Sequence, residues 1–226
     1  MIEKICNNLS EYISSNLSFD KDKEEVIAYG IFACIQTAYS ILCIIIVGLV
    51  LNVLKEALIF SFSGSFLRRT SGGVHSSTPS RCAITGAFVS GVIAWLINRF
   101  SNGISLNLLI IFEILIFLIA YYLISKLAPV DSKAKPIKSK EKRNILRKKS
   151  IKIWCVLFLI STCLIFFYYI NNNQVLLEFS MCVSAGVLWQ VGSLTQFGQA
   201  FINFTDIIFN KIKFLFGGVL NEKKNN

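Results

Sequence analysis

Charge is scarce in this sequence. Of its 226 residues only 16% are Asp, Glu, Lys or Arg, where soluble domains carry about 25%. Those charges are clustered, and the stretches between them stay uncharged for roughly the 20 residues that cross a bilayer as a helix. This excludes an ordinary soluble globule. Alternation of apolar and polar residues at the strand period is also missing, which argues against a membrane β-barrel. No apolar run and small-residue cleavage site open the chain, so no cleavable signal peptide is expected. What remains is an all-α, polytopic helical membrane protein, read as one integral-membrane domain over residues 1–226.

Histidine and paired cysteines are the next shortages. There is one histidine, His75, and there are seven cysteines with no CxxC among them. A metal centre takes three or four ligands, so neither a metal nor another cofactor is expected. The odd cysteine count argues against a secreted disulfide framework. Cys34, Cys43, Cys155, Cys163 and Cys182 sit in apolar runs, where cysteine acts as a small hydrophobe. Acids number 13 against 23 Lys and Arg, for a net charge of +10. No nucleic-acid motif accompanies that excess, so nucleic acid is not expected as a partner. The basic residues read instead as topology anchors beside a lipid bilayer.

Residues 1–25 form a polar segment that opens as an amphipathic helix. Ile2, Ile5, Leu9, Ile13 and Leu17 recur at intervals of three and four, opposite Lys4, Asn8, Glu11 and Ser15. It should lie on the membrane or the protein, and the run DKDKEE (20–25) should end it. Spans are expected at 26–51, 82–98, 104–125, 153–170 and 175–194. A sixth segment, 53–67, is short for a crossing and reads as a short span or a re-entrant piece. About six transmembrane helices result. Ala83, Ala87 and Gly91 put small residues on one face, as an internal packing surface or the seam of a homodimer. Glu113 lies in mid-span, where a structural hydrogen bond or a catalytic role would hold it.

With six crossings, both termini, the loop 68–81 and the loop 126–152 share a side. Loop 126–152 holds eleven Lys or Arg against two acids, and that side as a whole holds 21 of the 23, leaving Lys55 and Arg99 opposite. The positive-inside rule places it, with the tail 195–226, in the cytoplasm. Thiols stay reduced there.

The loop, continued to the next span, reads RRTSGGVHSSTPSRC (68–82). Thr78-Pro79 is an N-cap followed by proline at the first helical position. Cys82 then falls in the opening turn of a span, where free N–H groups and the helix dipole favour a thiolate and could hold an oxyanion. On a continuous helix His75 and Cys82 would stand roughly 10 Å apart. Pro79 breaks that helix, and Gly72 and Gly73 allow the loop to fold back. Arg68, Arg69 and Arg81 add positive charge that favours thiolate and could bind a substrate carboxylate. A nucleophile with a base nearby is the outline of a thiol catalyst.

Arg68, Gly72-Gly73-Val74-His75 and Cys82 together resemble the signature of the AgrB family, the accessory gene regulator B proteins. APVDSKAKPI (128–137) resembles a second motif of the same family. The resemblance implies a bacterial plasma-membrane cysteine endopeptidase of quorum sensing. Its partner would be an AgrD-like propeptide with an amphipathic leader and an acidic tail. Cys82 would cut off the C-terminal tail, with His75 as base, and pass the acyl group to a cysteine or serine of the propeptide to close a thiolactone or lactone. Arg68 and Gly73 match family positions linked to activity. Lys138, Lys140 and Lys142 would meet the acidic tail. Asp131, Ser76, Ser77, Glu113 and Gln190 are candidates to orient His75. The competing reading is a non-enzymatic peptide transporter, with Glu113 and Glu178 along its path.

Overall fold

The computed structural model describes residues 2–17, 19–131, 137 and 139–222. Nearly all of them lie in eight α-helices: α1 (Ile2–Asn16), α2 (Lys21–Val50), α3 (Leu54–Ser71), α4 (Pro79–Phe100), α5 (Leu106–Leu127), α6 (Lys140–Asn171), α7 (Gln174–Gly192) and α8 (Gln196–Glu222). A short 3-10 turn, Ser101–Gly103, joins α4 to α5. Among the described residues the only β contact is an isolated bridge between Gly72 and Val130. Five helices, α2, α4, α5, α6 and α7, are long and apolar enough to cross a membrane. The protein is all-α and multi-pass.

Helix α3 is the sixth expected segment, and it is one unbroken helix. Lys55 and Glu56 near one end and Arg68 and Arg69 at the other leave it too polar to stand among the five. Its neighbours supply what it lacks, because α2, α4, α6 and α7 all pack on it. Its 18 residues extend about 27 Å, close to the hydrocarbon thickness of about 30 Å. The tightest approach is to α7. A Cβ on Gly64 would lie 3.1 Å from the Gly186 carbonyl oxygen, and one on Gly186 would run into the Phe60 carbonyl. Leu67 of α3 then packs with Phe117, Ile124, Val187 and Val191. Trp154 of α6 stacks on Phe158 and donates Nε1–H to the Phe117 carbonyl at 3.0 Å.

Two acids buried inside the bundle, Glu113 and Glu178, are paired locally, as a low-dielectric surrounding requires. Glu113 accepts from Ser161 Oγ and Ser180 Oγ, each at 2.6 Å. Glu178 accepts from Ser101 Oγ at 2.9 Å. Helix α1 meets α2 through a face on which Cys6, Ser10 and Ser14 are buried, while Leu9, Tyr12 and Leu17 stay exposed. Ala83, Ala87, Gly91 and Ala94 are buried on α4, with Gly91 against Val47 and Leu51 of α2. That stripe is an internal packing face.

Three expected boundaries move, each for a local reason. Asp20 caps α2 by accepting from Lys23 N at 3.0 Å, so DKDKEE opens a helix rather than separating two. Helix α3 runs on through Arg68 and Arg69 to Ser71, since cations suit a helix C-terminus. The polar loop is therefore 72–78, not 68–81. Ser139 caps α6, with Glu141 in its first turn, so residues 140–152 are helical rather than loop. Lys138 lies outside the described residues.

The glycine crossing gives a direct test. Gly186→Val forces α3 and α7 apart and should cost about 1–3 kcal/mol, seen as a lower melting temperature of the purified protein by circular dichroism. Gly86→Ala, where a Cβ meets nothing within 4 Å, should melt with the wild type. Equal melting of Gly186→Val would contradict the close crossing.

Candidate active site

The C-terminal ends of α3, α5 and α7 and the N-terminal ends of α4 and α6 meet at one end of the bundle. Residues 72–78 lie among them. Helix α3 stops where Gly72 and Gly73 take φ of +68° and +139°, conformations that strain any side chain. Space forbids a side chain too. A Cβ on Gly72 would collide with the Val130 carbonyl, and one on Gly73 would lie 2.6 Å from Ser193 Oγ. The turn is bonded on both sides. Val130 N donates to the Ser71 carbonyl at 2.9 Å, and Val74 N to the Ser193 carbonyl at 3.2 Å. Buried Gln190 donates to the Gly72 carbonyl at 2.7 Å and to Ser71 Oγ at 3.0 Å.

This turn lets Arg68, one helical turn back, reach forward over the loop. Its Nη2 donates to the Val74 carbonyl and lies 3.4 Å from His75 Nδ1. Arginine has no acceptor, so a neutral His75 facing it leaves Nδ1 unprotonated and carries its proton on Nε2. Loss of solvation first, then the Arg68 charge, push the His75 imidazole below the usual histidine range. His75 is exposed, and Cys82 is half-buried and reduced. No hydrogen bond joins them in this structure.

Cys82 occupies the opening turn of α4, as expected. Thr78 Oγ1 accepts from Arg81 N at 3.4 Å, and the Thr78 carbonyl accepts from Cys82 N at 3.1 Å. Pro79 has no N–H. Among these first-turn donors only Ser80 N–H is left, so the expected set of free N–H groups for an oxyanion shrinks to one. Arg81 is also not free for a substrate carboxylate. It is held by Asp206, by Asn210 at 2.7 Å and by Ser77 at 3.1 Å. Arg69, Lys140 and Lys142 are exposed.

Asp131 does not orient His75. It pairs with Arg143 and accepts from Ile137 N at 3.2 Å. Arg143 also reaches the Pro129 carbonyl, at 3.4 Å, and Arg147 the Ala128 carbonyl, at 2.8 Å. These bonds pin segment 128–131, and that segment presents Val130 to Gly72. The first motif and the opening of the second, residues 128–131, are thus one packed unit. Gln190 serves the Gly turn rather than the imidazole. Glu113 is 14 residues back along α5 from Leu127, roughly 21 Å, and its carboxylate is taken by serines. Ser76 and Ser77 bond to Asp206 of α8. Ser193, Arg143, Arg147 and Asp206 were not expected. Asp206 alone left a trace, as the one acid in the amphipathic tail 195–215.

The model of the family described as Accessory gene regulator B matches residues 6–194. Among curated proteins, the AgrB-like protein 2 of Clostridium perfringens (strain 13 / Type A) is 37% identical over 213 residues, 94% of this chain and 100% of that protein. An AgrB-like protein of Clostridium perfringens (strain SM101 / Type A) is 36% identical over the same shares. The AgrB-like protein 1 of strain 13 is 27% identical over 74% of this chain and 84% of its own length. No solved structure matches the chain.

If the first motif and residues 128–131 are one packed unit, disturbing one must loosen the other. In Gly72→Ala, hydrogen exchange followed by mass spectrometry should speed up about tenfold or more in both 72–76 and 128–131. Acceleration confined to 72–76 would contradict the coupling.

Proposed function

The chain belongs to the accessory gene regulator B family, and from that membership we propose that it is a membrane cysteine endopeptidase acting on an AgrD-like propeptide. Family membership itself gives the coarser statement, a role in processing quorum-sensing peptides. The observation that carries the finer one is the loop geometry, in which the Arg68 guanidinium reaches His75 Nδ1 at 3.4 Å and Cys82 follows in the opening turn of α4. Loss of solvation first, and this cation second, hold the neighbouring imidazole below its ordinary range, neutral and able to take a proton.

The chemistry follows from those states. His75 takes the thiol proton at Nδ1, the nitrogen Arg68 leaves unprotonated, and gives up the long contact with Arg68. Cys82 Sγ bonds to the carbonyl carbon at the cleavage site. Ser80 N–H, the first-turn donor left over by the helix cap, is the backbone group offered to the oxyanion that forms. His75 then returns the proton to the amine of the departing C-terminal tail, and a thioester to Cys82 remains. A thiol or hydroxyl within the propeptide attacks this thioester, His75 accepts its proton and passes it to the leaving Cys82 sulfur, and the free thiol is restored as the ring closes. Half-burial of Cys82 at the bundle end limits attack by water, which would waste the thioester.

This reading places loops 72–78 and 128–139, with both termini, in the cytoplasm of a bacterial plasma membrane, where the propeptide is made. The charge asymmetry supports that orientation. Accessibility labelling of Lys55 or Arg99 replaced by cysteine tests it.

Cys82→Ala and His75→Ala should each abolish release of the C-terminal tail from a co-expressed propeptide, with the membrane protein still present on a blot. Processing by Cys82→Ala would end the proposal. The pH profile adds a second test. With His75 held below its ordinary 6.5, the base form persists into mild acid, and the acid limb of processing should fall below pH 6.5. Arg68→Gln removes a positive neighbour, raises the imidazole and should move that limb upward. A limb that stays put would show that Arg68 does not act on His75.

A further inference from the structure

Helix α8 lies wholly beyond residues 6–194, yet it holds the loop that carries His75. Its start is fixed at the corner after α7. Thr195 Oγ1 accepts from Gly198 N at 3.4 Å, and Phe201 packs edge-on to Trp189 at 5.3 Å. That corner includes Ser193, whose carbonyl takes the Val74 N–H. Two turns further on, Asp206, Phe209 and Asn210 fall at positions i, i+3 and i+4, one face of the helix. Asp206 meets the loop, and all three meet Arg81 in the first turn of α4. Asp206 accepts from Ser76 Oγ through one oxygen and from Ser77 N, at 2.8 Å, through the other. Arg81 Nη1 stands 3.7 Å from Asp206 Oδ1, its Nη2 donates to Asn210 Oδ1 at 2.7 Å, and its guanidinium lies over the Phe209 ring.

Ser76 and Ser77 follow His75 directly, and Arg81 directly precedes Cys82. One carboxylate thus grips the flank of the base and the flank of the nucleophile. From this juxtaposition we infer that Asp206 is a positioning residue, setting the spacing of His75 from Cys82 from outside the family-matched segment. A surface carboxylate would gain little from one exposed cation. Here the Asp206–Arg81 pair is mostly shielded, with side-chain exposures of 18% and 19%, and the carboxylate takes two donors as well. Burial alone would raise the Asp206 carboxyl; the bonds from Ser76 and Ser77 and the Arg81 charge outweigh it and hold it below the usual range. The carboxylate is therefore charged at neutral pH, the state in which its acceptor-only oxygens match these donors.

The inference rests on the endopeptidase reading, and the test separates the two. Full-length protein in native membranes is treated with iodoacetamide at pH 6.5 beside added glutathione as the reference thiol, and labelling of Cys82 is followed by peptide mass spectrometry. Wild type should label Cys82 faster than glutathione, and His75→Ala should remove that advantage. Without it the endopeptidase reading falls, whatever Asp206 does. Given that advantage, Asp206→Asn should slow Cys82 about tenfold, the scale of losing a charged hydrogen bond, and Asp206→Glu should restore part of it. In a His75→Ala background, Asp206→Asn should have no further effect, because the clasp acts through the dyad's spacing. Ser76→Ala, which removes one donor and leaves the Arg81 pair, carries the same test at smaller amplitude if Asp206 variants fail to accumulate. Wild-type rates in Asp206→Asn, or equal slowing with and without His75, would overturn the inference.

Discussion

The site depends on one close contact, the backbone of Gly72 and Gly73 pressed between Val130 on one side and Gln190 and Ser193 on the other. Two glycines are required because the backbone must take positive φ where there is no room for a Cβ. The bonds made there satisfy the polar groups freed where α3 ends, which a buried helix end cannot leave bare. From that fixed turn the remaining geometry follows. Arg68 reaches over Val74 to His75, the chain re-enters a helix at Pro79, and Cys82 arrives one turn later. Helices α3, α5, α6 and α7 have no catalytic cysteine or histidine of their own in this arrangement. They deliver the surfaces that hold the turn.

Charge is rationed by the bundle in the same way. Within the apolar interior Glu113 and Glu178 are tied to serine hydroxyls, so each acid is satisfied without an opposite charge. The cations collect at the end where the helix termini meet. There Arg143 and Arg147 hold the 128–131 segment, Arg81 joins loop to α8, and Arg68 faces the dyad. Four arginines thus do three positioning tasks, each through planar donors aimed at carbonyls or carboxylates, which lysine's point charge performs less well. The exposed lysines of α6 stand apart from these contacts.

Much of this was legible in the chain. Span positions followed from uncharged length, and the cap at Thr78-Pro79 followed from local chemistry that needs no tertiary partner. The loop that carries His75 up to the helix opening at Cys82 stood out because histidine occurs once. Two kinds of feature were not legible. Helix ends at Ser71 and Lys140 ran past the polar boundary, since Lys and Arg are sound helix formers and polarity was the wrong criterion for them. Long-range partners were hidden altogether. Nothing local says that Asp131 belongs to Arg143, that Gln190 lies under Gly72, or that Asp206 reaches Ser76 across 130 residues. Gln190 and Asp206 were each conspicuous as polar residues in apolar surroundings, but the sequence could not name what they touch.

The central claim is a covalent one, that Cys82 carries the propeptide's acyl group between cleavage and ring closure. The most direct measurement is peptide mass spectrometry of membranes quenched in acid during turnover with the co-expressed propeptide. The account predicts a thioester adduct on Cys82 whose mass equals the propeptide without its C-terminal tail, cleaved by hydroxylamine and missing in His75→Ala. Tail release with an unmodified Cys82 at every quench time, or an adduct on another cysteine, would contradict it.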